Sequence, residues 1–214
     1  MKNLFNLILH NLTFLIPTLI SIFALYRTYL KPAKIKIFTS ERIAFWHDEN
    51  GWLLIDVPII FCNDETKSGI IHTMALILKD MQSDEDVFLL RWNNFLKYNT
   101  EKNSWDMEGF PFPIAVDKNS SVFKFVSFYA GECSKNWILK PGKYKLVIMA
   151  WSKPSLMPNL KETFMIDVDL AQSKRITDYC NNMNKSSIYI FRPDWGKWLS
   201  KKISKNELKN IEKI

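Results

Sequence analysis

Lys140-Pro-Gly-Lys-Tyr-Lys-Leu-Val-Ile-Met-Ala-Trp151 reads as a tight turn running straight into a strand. Pro141-Gly142 is turn chemistry, because proline presets φ and glycine accepts conformations that other residues resist. Beyond it Tyr144, Leu146, Ile148 and Ala150 alternate with Lys143, Lys145, Val147, Met149 and Trp151, the two-residue period of a β-strand.

The pattern repeats in both directions. Residues 34–38 (KIKIF), 42–46 (RIAFW), 52–61 (WLLIDVPIIF), 69–80 (GIIHTMALILKD), 87–92 (VFLLRW), 121–130 (SVFKFVSFYA), 162–170 (ETFMIDVDL) and 187–191 (SIYIF) are predicted strands. Pro58 predicts an edge or a bulge within its strand. Both registers of 69–80 are apolar, so that segment is expected to be buried on both faces. Asn63–Gly69, Ser83–Asp86 and Lys153-Pro154 supply the turns between them. Eight or nine strands with short turns and almost no helical periodicity predict an antiparallel, immunoglobulin-like β-sandwich over residues 32–192. The antibody-type pattern is absent, since no Trp follows Cys62 at the usual interval and Gly131, not Tyr, stands two residues before Cys133.

Residues 4–26 (LFNLILHNLTFLIPTLISIFALY) carry no formal charge and, as a helix, would extend roughly 34 Å, enough to span a bilayer. The competing signal-peptide reading needs a basic n-region and a small-x-small cleavage site; only Lys2 precedes the segment, and no small residue stands two before Ala24. Asn6, His10, Thr13, Pro17 and Ser21 recur every three or four residues along one face. Such a stripe suits contact with another transmembrane helix, of a second copy or a partner protein. His10, an ionisable residue within the membrane, is expected to form an interhelical hydrogen bond. Residues 1–31 are thus read as a single-pass anchor and stem. Lys2 before the span and Arg27, Lys31, Lys34, Lys36 and Arg42 after it favour a cytoplasmic domain, the alternative being an extracytoplasmic one. Three cysteines without metal spacing fit a reducing compartment.

The net charge of +7 gathers in the stem and the C-terminal end. Without an RNA-binding or helix-turn-helix signature, a membrane surface is the expected partner of this charge, not nucleic acid. Residues 193–214 predict a short amphipathic helix. Trp195, Trp198, Leu199 and Ile203 share one side, while Lys197, Lys201, Lys202 and Lys205 supply charge for an anionic leaflet. Docking of that helix on the sandwich is the alternative.

Candidates for chemistry are few. His47 beside Asp48 and Glu49 could pair a base with a carboxylate, but a solvated turn accounts for it. His72, flanked by apolar residues, reads as a core imidazole. A hydrolase using either histidine is the least favoured function. Asp64-Glu65, Asp84-Glu85-Asp86 and Asp106-Met-Glu108 fall in predicted turns without calcium-loop spacing, and no catalytic, phosphate-binding or metal motif occurs. No catalytic residue, metal or cofactor is therefore expected. Residues 103–113 form a polar-to-aromatic loop in which Trp105, Phe110 and Phe112 are candidates for recognition, or for capping the core.

Pro58-Ile-Ile-Phe-Cys-Asn63, Ser68-Gly-Ile-Ile-His72, Ala75-Leu-Ile-Leu78, Pro113-Ile-Ala-Val116, Ser120-Ser121, Gly142-Lys-Tyr-Lys-Leu146 and Ala150-Trp151 resemble a group of uncharacterised small bacterial membrane proteins. The resemblance spans roughly residues 10–170. It implies an N-terminal helix ahead of a sandwich of this size and brings no activity with it. The expected function is a membrane-anchored binding or assembly subunit, with an extracytoplasmic sensing or adhesion module as the alternative.

Overall fold

In the computed structural model the Pro141-Gly142 turn opens a strand at Gly142–Trp151, as its alternation predicts. Tyr144 is buried, and its hydroxyl donates to the Lys140 carbonyl at 2.9 Å, tying the strand back across its own turn. Burial pushes that phenol up to about 12. The structure describes residues 15–26, 32–40, 42–83, 86–102, 104–135, 137–181 and 188–191.

Twelve strands occur among the described residues: β1 (Ile35–Thr39), β2 (Arg42–His47), β3 (Leu53–Asn63), β4 (Gly69–Ile71), β5 (Thr73–Asp80), β6 (Val87–Asn99), β7 (Ser104–Gly109), β8 (Ile114–Val116), β9 (Ser120–Tyr129), β10 (Gly142–Trp151), β11 (Leu160–Val168) and β12 (Ile188–Phe191). A helix at 15–25 (α1) precedes them, and a second (α2, Leu170–Asn181) lies between β11 and β12. The chain is mainly β and antiparallel. Ten strands form one sheet along the path β11-β10-β5-β6-β9-β3-β2-β12, with β1 also on β3 and β7 also on β6; β4 and β8 make a separate pair. The sheet curls until β1 lies beside β11, a nearly closed barrel. Its inner face holds the core, including Ile43, Phe45, Ile55, Phe61, Leu76, Leu90, Phe128, Tyr144 and Ile148.

Three local features differ from the sequence reading. Pro58 lies in an internal strand, where β2 pairs with Leu53–Asp56 and β1 with Ile59–Asn63. It falls at the seam between the two partners, where only its carbonyl is used, by the Ser40 amide at 3.1 Å. A missing N–H costs no ladder bond there. Residues 69–80 split at His72 into β4 and β5, and β5 buries one face (Met74, Leu76, Leu78, Asp80) while Ala75, Ile77 and Lys79 are half-buried. Gly69 opens β4, where a Cβ would lie 2.9 Å from the Ala33 Cβ.

The third is α2, which the sequence reading did not expect. Asp169 caps it reciprocally: the Gln172 amide donates to Asp169 Oδ1 at 2.7 Å, and the Asp169 amide donates to Gln172 Oε1 at 2.9 Å. This is a capping box built from Asp and Gln. Ile176 and Ser173 are buried as α2 packs on β2 and β12.

Among the described residues no helix is long and apolar enough to cross a membrane. All described side chains of α1 are exposed. Of the polar stripe, Pro17 and Ser21 lie in α1, and the Ser21 hydroxyl donates to the Pro17 carbonyl at 2.8 Å within the helix itself. Asn6, His10 and Thr13 lie outside the described residues, as do Trp195, Lys197, Trp198, Lys201 and Lys202 of the tail.

Candidate functional site

The sheet's outer face carries apolar residues that strand pairing sets side by side. Phe38 pairs with Ile60, and Ile60 with Phe123, giving an exposed row across β1, β3 and β9 in which Phe123 is 59% accessible. In the neighbouring row Pro58, Phe125, Leu96 and Met107 face one another across β3, β9, β6 and β7. Trp105 stacks on Phe125, with centroids 4.1 Å apart and planes 14° from parallel, and stays partly exposed.

The predicted recognition loop is mostly strand. Trp105, Asp106, Met107 and Glu108 belong to β7, hairpinned to the end of β6. Its charges do not form a solvated turn: Asp106 accepts from Asn99 at 2.8 Å, and Glu108 pairs with Lys124 at 3.1 Å. The three aromatics separate accordingly. Trp105 belongs to the outer face, Phe112 packs edge-on against core Phe95 at 4.9 Å, and Phe110 is 74% accessible.

A bulge keeps the long β6 in phase. Register shifts between Trp92 and Asn94, so Trp92 and Phe95 both face inward and touch edge-to-face at 5.0 Å. Further along the outer face, beyond this bulge, lies an open depression of about 480 Å³. Thr73, Ala75, Leu89, Arg91, Tyr129 and Trp151 line it, with the Ala130-Gly131 backbone at one end.

The two described histidines differ in setting. His47 ends β2 and is half-buried; its Nε2 is 2.8 Å from the Trp137 carbonyl, to which it donates as N–H. Burial holds its basicity below the ordinary imidazole value, against the Trp137 bond and Asp48. His72 is exposed at the β4–β5 break, which corrects its assignment to the core; the strand that would have buried it is interrupted there. Among the described residues no three His, Cys, Asp or Glu side chains cluster to hold a metal. Cys62 and Cys133 are free thiols.

Sequence reasoning missed Asp56. It is buried on the outer side of β3, where Oδ2 accepts from Trp46 Nε1 at 2.8 Å. Ser127 faces it from β9, and Asn94 faces Ser127 from β6. Asp56 Oδ1, Ser127 Oγ and Asn94 Oδ1 are buried without a partner at hydrogen-bond geometry. Burial pushes the Asp56 carboxyl up to about 6, although the nearness of Ser127 and Trp46 favours its charged form. The signal was an acidic residue inside an otherwise apolar strand.

No protein-family model matches the chain, and no curated protein does. Among solved structures, it is similar to a Bacillus subtilis lipoprotein candidate, ycdA, at 13% identity and a TM-score of 0.39. The likeness covers 68% of this chain and 41% of that one. The chain thus spans about two-fifths of that protein's length, and at this score nothing transfers from it.

Proposed function

We propose that the chain is a membrane-anchored binding or assembly subunit. Residues 4–26 would hold it to the membrane as a single span, beside another transmembrane helix. The β-domain, on the cytoplasmic side, would be an immunoglobulin-like sandwich in which the one curled sheet supplies both layers, and it would present its outer face to a protein partner. The observation that carries this reading is the exposed row Phe38–Ile60–Phe123 together with exposed Met107 and Trp105, which sit over the buried Pro58 and Phe125 and half-buried Leu96 of the next row. Single exposed apolar residues need no explanation, but adjacent rows form a patch, and patches mark interaction surfaces. Aromatic side chains and Met are also what interface cores favour.

Two further observations support the parts of the proposal. The described turns of α1 bury nothing against the domain, although they read LIPTLISIFAL; such a helix suits lipid or another helix better than water. The Tyr144 bond to the Lys140 carbonyl is of the kind that pins corners in Greek-key sandwiches.

The test is a crosslinked pull-down from membranes with the wild type and with Phe38→Glu/Phe123→Glu. Both side chains are exposed, so the variant should fold and fractionate like the wild type while losing the wild type's adducts. Unchanged adducts would reject the outer face as the contact.

A further inference from the structure

We propose that the depression between β5, β6, β9 and β10 binds a small organic anion with a planar, apolar body, of the aromatic carboxylate class. This site is separate from the partner face and does not depend on it. Arg91 is the one charged side chain among the residues that line it. Arg91 is exposed, and its guanidinium carbon lies 5.1 Å from the centroid of the Tyr129 ring. None of the ion pairs among the described residues involves it. A guanidinium held over an aromatic face uses that face for the cation–π contact and keeps its in-plane N–H donors for an acceptor. A carboxylate is the group whose two oxygens match that planar fork.

The remaining wall selects the body of the ligand. Trp151, half-buried, pairs with Thr73; Leu89, exposed, pairs with Ile77; and Ala75, two residues from each of those partners, pairs with Arg91. Thr73 adds one hydroxyl at the end paired with Trp151. An apolar surface with one convergent cation in about 480 Å³ is the composition of a small-molecule site, which typically measures roughly 300–1,000 Å³. Lys161 pairs with Met149, the β10 partner of Ala75, while Lys79 and Lys145 pair four residues further along β5 and β10, and Glu132 follows the lining residue Gly131. The outer side of β5, β10 and β11 thus adds mainly cations, which raise the local concentration of anions.

The probes are 4-fluorobenzoate and its neutral counterpart 4-fluorobenzyl alcohol, titrated by fluorine NMR against the full chain in neutral-lipid nanodiscs, with empty nanodiscs subtracted. A charge-assisted bond to Arg91 predicts that the wild type binds the carboxylate about tenfold or more tighter than the alcohol. Arg91→Gln should abolish that preference. Arg91→Lys, which keeps the charge but loses the fork, should reduce it. Lys118→Gln, the same charge change on the turn after β8, should leave it intact. Leu89→Gln should weaken both probes alike. Absence of saturable binding by the wild type, equal affinity for the two probes, or an Arg91→Gln preference like that of the wild type would overturn the proposal. Loss of partner capture by the Phe38/Phe123 variant, or its failure, bears on none of these readings.

Discussion

Asp56 shows how far one residue's surroundings can depart from what its neighbours in sequence suggest. Its carboxyl keeps its proton to about pH 6 in the folded chain, because burial disfavours the charge more than Trp46 and Ser127 support it. The ordinary value is 3.8, so between about pH 4 and 6 the folded state holds more protons than the unfolded one, and stability falls as pH rises. The loss is complete above about pH 6 and amounts to roughly 3 kcal/mol at most. Asn in this position keeps an acceptor for the Trp46 indole and carries no charge. Asp56→Asn is therefore expected to match the wild type near pH 4 and to exceed it by about 1–3 kcal/mol at pH 7.5, read as the difference in urea midpoints. A constant difference across that range would contradict the assignment. His72 teaches the converse lesson. Its apolar neighbours suggested burial, but a strand interruption invisible to alternation put it at the surface.

At the scale of elements, alternation located the strands whose inner face is continuously apolar, and it failed where apolar residues face outward. β7 reads as a loop because Trp105 and Met107 sit on the outer face while Asp106 and Glu108 occupy the alternate positions. The bulge between Trp92 and Asn94 returns Phe95 to the inner face three residues after Trp92, so a strict two-residue period in the sequence stops at Trp92. α2 has a weak apolar face, with Ile176 its main anchor, and its legible mark is the Asp169–Gln172 capping box. Removing the cap with Asp169→Ala should cost about 0.5–2 kcal/mol by chemical denaturation, and Gln172→Ala less. Because α2 packs on β2 and β12, early hydrogen exchange in the α2 amides should accompany that loss. An Asp169→Ala protein as stable as the wild type would show that tertiary contacts alone hold the helix.

At the scale of the molecule, the antiparallel, mainly β character was legible because composition and turn spacing dictate it. The path of the sheet was not, because pairings such as Tyr144 with Asp80 join distant segments that no local pattern encodes. The apolar outer row was hidden for the same reason: Phe38, Ile60 and Phe123 become one row only when β1, β3 and β9 align. Sidedness rests on charge, five cations after the apolar segment against one before it. Protease added to intact spheroplasts should accordingly leave the β-domain uncut, and lysis should expose it. Cleavage in intact spheroplasts would place the domain on the other side of the membrane.

That the outer face meets a protein partner is tested most directly by residue-specific photocrosslinking in living cells. A photoreactive phenylalanine at position 123 or in place of Met107 should give the same discrete adduct, whether with a second copy or another protein. The same group in place of Leu170, which is 74% accessible on α2, should give none. Adducts of equal yield at all three positions, or at Leu170 alone, would contradict the outer face as the binding surface.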